Sequence, residues 1–174
     1  MRIEYTIPSP HVEAIQAQLD YADLAYEDAV IKNDADISDD HLTLTVDEIV
    51  VSGFLPVMAC VGRLAKTLPS DPALLGYLLG VIDEISYMST ETIEHTLEKN
   101  TSSGPWFCSD ILTESTAVDF YLIAFLRAIE ADVEPFDENT FPKIKEYLDK
   151  DPGCATTDFH NPPASSSSSW CSIM

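Results

Sequence analysis

Arg2-Ile3-Glu4-Tyr5-Thr6-Ile7-Pro8-Ser9-Pro10-His11-Val12-Glu13-Ala14-Ile15 opens the chain, and its reading decides the fold. Residues 2–7 alternate and are rich in β-formers, so they read as a strand. Pro8 and Pro10 end it, because proline cannot donate to a sheet ladder. Ser9 is placed to initiate the next element. From His11 onward, Val12, Ile15, Leu19 and Ala22 recur at spacings of three and four, a helical period. Tyr26 to Ile31 reads as a second short strand. Residues 33–40 form an acidic loop. Leu42, Leu44 and Val46 then alternate with Thr43 and Thr45, and Ile49 to Val51 follow the pair Asp47-Glu48, which predicts a β-hairpin. Gly53 closes it, and Pro56 suits the first turn of a helix running to Lys66. Strand, helix, strand, hairpin, helix is the resulting order.

The character changes after Pro69. Pro72 to about Lys99 predicts one long helix or two short ones, with Leu75, Leu78, Leu79, Ile82 and Ile85 on the apolar face. Gly76 and Gly80 within it read as positions of close packing. Thr116 and Asp119 form a capping box, in which the Thr oxygen accepts the Asp119 amide and the Asp carboxylate reaches back to the Thr116 amide. The helix that follows is almost wholly apolar through Ile129, which assigns it to the centre of a helical bundle. Residues 141–148 predict a final amphipathic helix that stops before Pro152-Gly153. Trp106 and Phe107 are expected to cap the helical core. The expected division is an α/β domain over residues 1–68, an all-α domain over 72–155, and a tail over 156–174.

Composition narrows the function. The chain has 174 residues and a formal charge of −21, with 9 basic against 30 acidic residues. That excludes a nucleic-acid footprint, which requires clustered positive charge. Four widely spaced cysteines form no C-x-x-C pair, and the histidines at 11, 41, 95 and 160 are scattered, so no metal site is expected. No apolar run reaches the roughly 18 residues that a membrane span needs. Phosphate-loop, dinucleotide and nucleophile-elbow motifs are missing from the sequence.

The most specific local signal is Cys171-Ser172-Ile173-Met174, the C-a-a-X pattern that protein farnesyltransferase reads, with the lipid on Cys171. The preceding serine run, Ser165 to Ser169, lacks the apolar content to fold. One such chain gives only marginal, reversible membrane binding, with a partition constant of about 10⁴ M⁻¹ for myristoyl. An acidic body is repelled by the anionic cytoplasmic leaflet. The expectation is a cytoplasmic protein peripherally associated with the cytoplasmic face of membranes. The sequence gives little support for a palmitate on Cys154.

The order of elements, with Arg2-Ile3-Glu4-Tyr5, Val12-Glu13, and Asp23-Leu24-Ala25-Tyr26-Glu27-Asp28, resembles the cytosolic glutathione S-transferases, nearest to their sigma-like, tyrosine-type group. Val46-Asp47, Thr116 to Tyr121, Pro142 and Pro152-Gly153 extend the likeness over most of residues 2–155, with a shortened stretch between Thr90 and Trp106. This resemblance implies a thioredoxin-like N-terminal domain and a helical-bundle C-terminal domain. It also implies a site for glutathione. Tyr5 falls on the tyrosine that hydrogen-bonds the glutathione sulfur and favours the nucleophilic thiolate. His11 stands in place of a basic residue on the first helix. Ser52 is placed, by a two-residue slip, for the γ-glutamyl carboxylate. Asp83 matches an acidic residue that contacts the ligand's amine.

Several positions depart from the family pattern. No proline precedes the third strand, where the family pairs its backbone with the cysteinyl part of glutathione. Gly53-Phe54 stands where Gln-Ser holds the γ-glutamyl carboxylate at a helix N-terminus. The loop after strand two carries Asp34, Asp36, Asp39 and Asp40, which repel a tripeptide bearing two carboxylates. The leading reading is therefore a farnesylated binding or scaffolding module with a degenerate glutathione site. The alternative is an active glutathione transferase or peroxidase in which Tyr5 activates the thiol of glutathione and apolar electrophiles are conjugated. A third reading makes the chain a structural partner in a larger protein assembly, with the helical half as a docking face; the resemblance also implies a homodimer.

Overall fold

A computed structural model of the chain describes residues 1–31, 41–100, 103–112, 114–132 and 135–150. The acidic loop aspartates, Cys154, Cys171 and the whole tail lie outside them.

Strand β1 (Arg2–Tyr5) sits inside a four-stranded sheet of order β2-β1-β3-β4, with β2 Glu27–Val30, β3 Leu42–Val46 and β4 Ile49–Ser52. β1 pairs parallel with β2 and antiparallel with β3, and the β3–β4 hairpin turns at Asp47. Register sets the faces. Ile3 lies opposite Leu44 and Tyr5 opposite Leu42, all four buried, while Glu4 faces Thr43 on the other side. The parallel β1–β2 pair needs a crossover, and α1 (Pro10–Tyr21) supplies it. Ser9 caps α1 as its sequence position predicts, accepting the Val12 amide at 3.4 Å. Helix α2 (Phe54–Leu64) packs on the hairpin and against α1.

Four helices form the second half. The segment from Pro72 is two helices, α3 (Pro72–Ile85) and α4 (Thr90–Asn100), parted by a turn at Ser86-Tyr87. Helix α5 (Ala117–Asp132) is the central one, buried from Ala117 through Ala124, and it packs on α1, α3 and α6 (Pro142–Leu148). The resemblance implies a shortened stretch between Thr90 and Trp106. Helix α4 occupies most of it, and turns and bends occur at residues 103–111.

The capping box differs in detail from expectation. The Asp119 carboxylate does take the Thr116 amide, at 2.7 Å. The Thr116 hydroxyl takes the Val118 amide at 3.2 Å instead, and the Asp119 amide bonds the Thr116 carbonyl. Gly76 and Gly80 also differ: both face solvent, and an added Cβ would meet nothing within 4 Å. Neither is a close-packing position, because the buried stripe of α3 runs through Leu78, Val81, Ile82 and Ile85. Trp106 and Phe107 are buried in the core as expected.

The linker between the halves is bolted to both. Thr67 donates its hydroxyl to Gln18 of α1 at 2.6 Å, and its carbonyl accepts the Ala117 amide at the head of α5 at 3.0 Å. Gln18 is fully buried, and its amide bonds Ala14 carbonyl and Met58 sulfur. A buried polar side chain is tolerated only when its partners are supplied in this way. Gly62 lets the linker close in, since a Cβ there would meet Leu68 at 2.5 Å.

Candidate functional site

A cleft of about 230 Å³ opens where the heads of α1 and α2 meet the start of β3. Ile7, Leu42 and Phe54 give it apolar walls, and Ser9, His11 and His41 are its polar lining. No Lys or Arg lines it among the described residues.

His11 and Phe54 of this lining belong to an aromatic stack that continues to Tyr121 at the boundary of the two halves. The His11 ring lies 3.9 Å from the Phe54 ring at 24°, and 5.5 Å from Tyr121. His11 Nε2 and the Tyr121 hydroxyl are 3.1 Å apart, and that hydroxyl also meets Ser86 Oγ at 2.7 Å. Helix α1 thus joins α5 and the end of α3 through one phenol. Burial pushes the Tyr121 hydroxyl's pKa upward, with the Ser86 hydrogen bond pulling it back and the negative charge of Asp83 adding to the rise. Tyr121 therefore stays a neutral hydroxyl.

The head of α2 is a poor anion site. Gly53 is its N-cap, with φ 89°, and contributes no side-chain cap. The Gly53 amide is already taken by the Leu42 carbonyl at 2.9 Å. Pro56 has no amide. Only the Phe54 and Leu55 amides are left at a helix start that otherwise exposes up to four donors.

The residues singled out from sequence do not converge. Tyr5 is buried (8% exposed) on the helix-covered face of the sheet beside Ile3 and Leu44, and is not among the cleft-lining residues. Ser52 is exposed at the end of β4, paired with Thr43. Asp83 is exposed on α3, near enough to Tyr121 to act on its hydroxyl. Of the four, His11 alone lines the cleft. Sequence reasoning missed Tyr121 and Ser86 as partners of His11, because pairs 110 and 35 residues apart leave no local signal. Phe54 was legible as a departure but not as the ring that covers His11. No cluster of three or more metal-ligating side chains occurs among the described residues, and no helix there is long and apolar enough to cross a membrane.

A mixed sheet of this order, followed by a helical half packed on α1, is the fold of the glutathione S-transferases, with a thioredoxin-like N-terminal domain and a helical C-terminal domain. The tau-class glutathione S-transferase of mango, Mangifera indica, matches over 88% of this chain and 88% of its own, at 16% identity and a TM-score of 0.60. Glutathione transferase E6 from Drosophila melanogaster matches over 85% and 84%, at 17% identity and 0.65. Prostaglandin synthase D of Nilaparvata lugens matches over 93% and 98%, at 16% identity and 0.62. No protein-family model matches the chain, and no curated protein matches it.

Proposed function

We propose that this chain is a binding and scaffolding module on a glutathione transferase fold, with a degenerate glutathione site, held at the cytoplasmic face of membranes by a farnesyl group on Cys171. Among the family's groups, the pattern of residues 2–31 favours the sigma-like, tyrosine-type one. The observation that carries the loss of activity is the Phe54 ring stacked on His11 at the head of α2. Glutathione brings two carboxylates and an ammonium group. A charged group moved against an aromatic wall without a partner loses its hydration uncompensated. The cleft offers two imidazoles and one hydroxyl against that demand, and the α2 head offers two amides.

Titration calorimetry with millimolar glutathione tests the reading, together with conjugation of a chlorinated aromatic electrophile. Neither binding heat nor turnover is expected. Turnover that collapses on Tyr5→Phe would establish the active transferase instead. The lipid is tested separately by mass spectrometry of the protein from a eukaryotic host. A full-length, unmodified tail still ending in Met174 defeats the anchoring half of the proposal.

A further inference from the structure

A second cavity, of about 330 Å³, lies between α3, α4 and the turns at 103–111, and no part of the reading above uses it. That volume falls at the lower end of ligand-sized sites. Its floor is apolar, made by Val81, Met88, Phe107 and the Cys108 thiol, with the half-exposed Tyr77 ring at one side. Polar side chains, among them Glu84, Lys99 and Asp110, form the rim. Burial and two nearby aspartates push the Cys108 thiol up to about 12, so the floor behaves as an apolar surface and not as a nucleophile.

We propose that this groove docks the chain's own tail in cis, with Trp170 as the anchoring side chain. Three observations support that occupant. The described chain ends at Lys150, whose ammonium donates to the Pro105 carbonyl at 3.2 Å, two residues before Phe107 of the groove floor. The tail therefore departs on the order of 15 Å from the groove. A generic flexible coil of twenty residues has a root-mean-square span of about 25 Å, so the sequence length from Lys150 to Trp170 is enough to cover that distance. Second, residues 159–174 carry no Asp, Glu, Lys or Arg, whereas the whole chain has a charge of −21. The side chains of this stretch give the acidic body no charge to repel, while a second copy brings the full repulsion. Third, Trp170 is the largest apolar side chain in residues 151–174.

Tethering makes the docking effective even when it is intrinsically weak. A short flexible linker gives an effective concentration of about 1 mM, so a contact with an intrinsic Kd of about 0.1 mM is occupied roughly 90% of the time. Docking withdraws the region around Cys171 from solvent. Its consequence for membrane residence rests on the farnesyl reading, but the docking itself does not.

The test uses the full chain without lipid. Trp170 fluorescence, taken as the difference from Trp170→Phe, is quenched with acrylamide. At 90% occupancy the quenching constant is expected about tenfold below that of a free peptide of residues 158–174. Met88→Glu, on the groove floor, and Tyr77→Ala, at its side, should each restore peptide-like quenching with the circular dichroism spectrum unchanged. Free-peptide quenching in the wild-type chain overturns the proposal. So does shielding that both variants leave intact, or shielding that is lost on dilution, which identifies a second copy as the occupant. Farnesylated protein gives a separate readout: Met88→Glu should bind neutral lipid vesicles several-fold more than wild type, and equal binding refutes control of membrane residence while leaving the docking result to stand by itself.

Discussion

Replacing Asp119 with Ala should be among the most damaging single changes in this chain. The Asp119 side chain is fully buried, and its carboxylate accepts four donors. They are the Thr116 amide at 2.7 Å, the Thr116 hydroxyl at 3.1 Å, the Phe107 amide at 2.9 Å and the Tyr147 hydroxyl. These donors come from the head of α5, the 103–111 turns and α6. Alanine removes the acceptor of buried donors on all three of these segments, and each such loss costs about 1–3 kcal/mol. The contributions overlap, so about 3–5 kcal/mol is the expected total. For a chain of this size that is a fall of on the order of 10 °C in Tm. Urea unfolding followed by circular dichroism measures it. Tyr147→Phe alone should cost about 1–2 kcal/mol, because one buried hydrogen bond is lost while the ring still packs. Combining it with Asp119→Ala should cost less than the sum, since the phenol no longer lacks an acceptor. A loss below about 1 kcal/mol for Asp119→Ala would refute the view that this carboxylate organises the second half.

Smaller effects follow at the two glycines that the structure reassigns and at the buried Cys108. Gly76→Ala and Gly80→Ala should each stabilise the chain by about 0.5–1 kcal/mol, because glycine in an open helix face adds backbone entropy to the unfolded state. A lower melting temperature in either variant would mean that something covers that face. Cys108, with its thiol pushed up to about 12, should remain unreactive to a disulfide reagent at pH 8 until the chain unfolds, while the half-buried Cys60 reacts in the native state. Its linkage has a definite sign. Between the ordinary thiol value of 9.0 and about 12 the unfolded chain releases this proton and the native chain keeps it. Stability therefore falls as pH rises through that window, and Cys108→Ala should flatten this part of the alkaline limb.

The sequence by itself determined the elements and their order. Alternation in residues 2–7, proline punctuation, the Ser9 cap, the 42–51 hairpin and the apolar run after Thr116 are local signals. Each rests on interactions within a few residues, or on a periodicity that one helix or strand displays alone. The glutathione transferase fold was legible for that reason, with α5 at its centre.

The tertiary structure decided what those elements hold between them. Glu94 of α4 accepts the Lys143 and Ile144 amides at 2.8 Å each, so a side chain some fifty residues away caps α6, whose own Phe141 makes no side-chain cap bond. Gln18 and Thr67 fix the linker, and His11, Phe54 and Tyr121 close the boundary of the two halves in the same long-range manner. Tyr5 lies buried on the sheet, and Ser52 is exposed at a strand end. Sequence spacing specifies which side chains share a face of one element. Which faces meet depends on how whole elements bury their apolar surfaces against each other, and that is a sum over contacts that no local window contains.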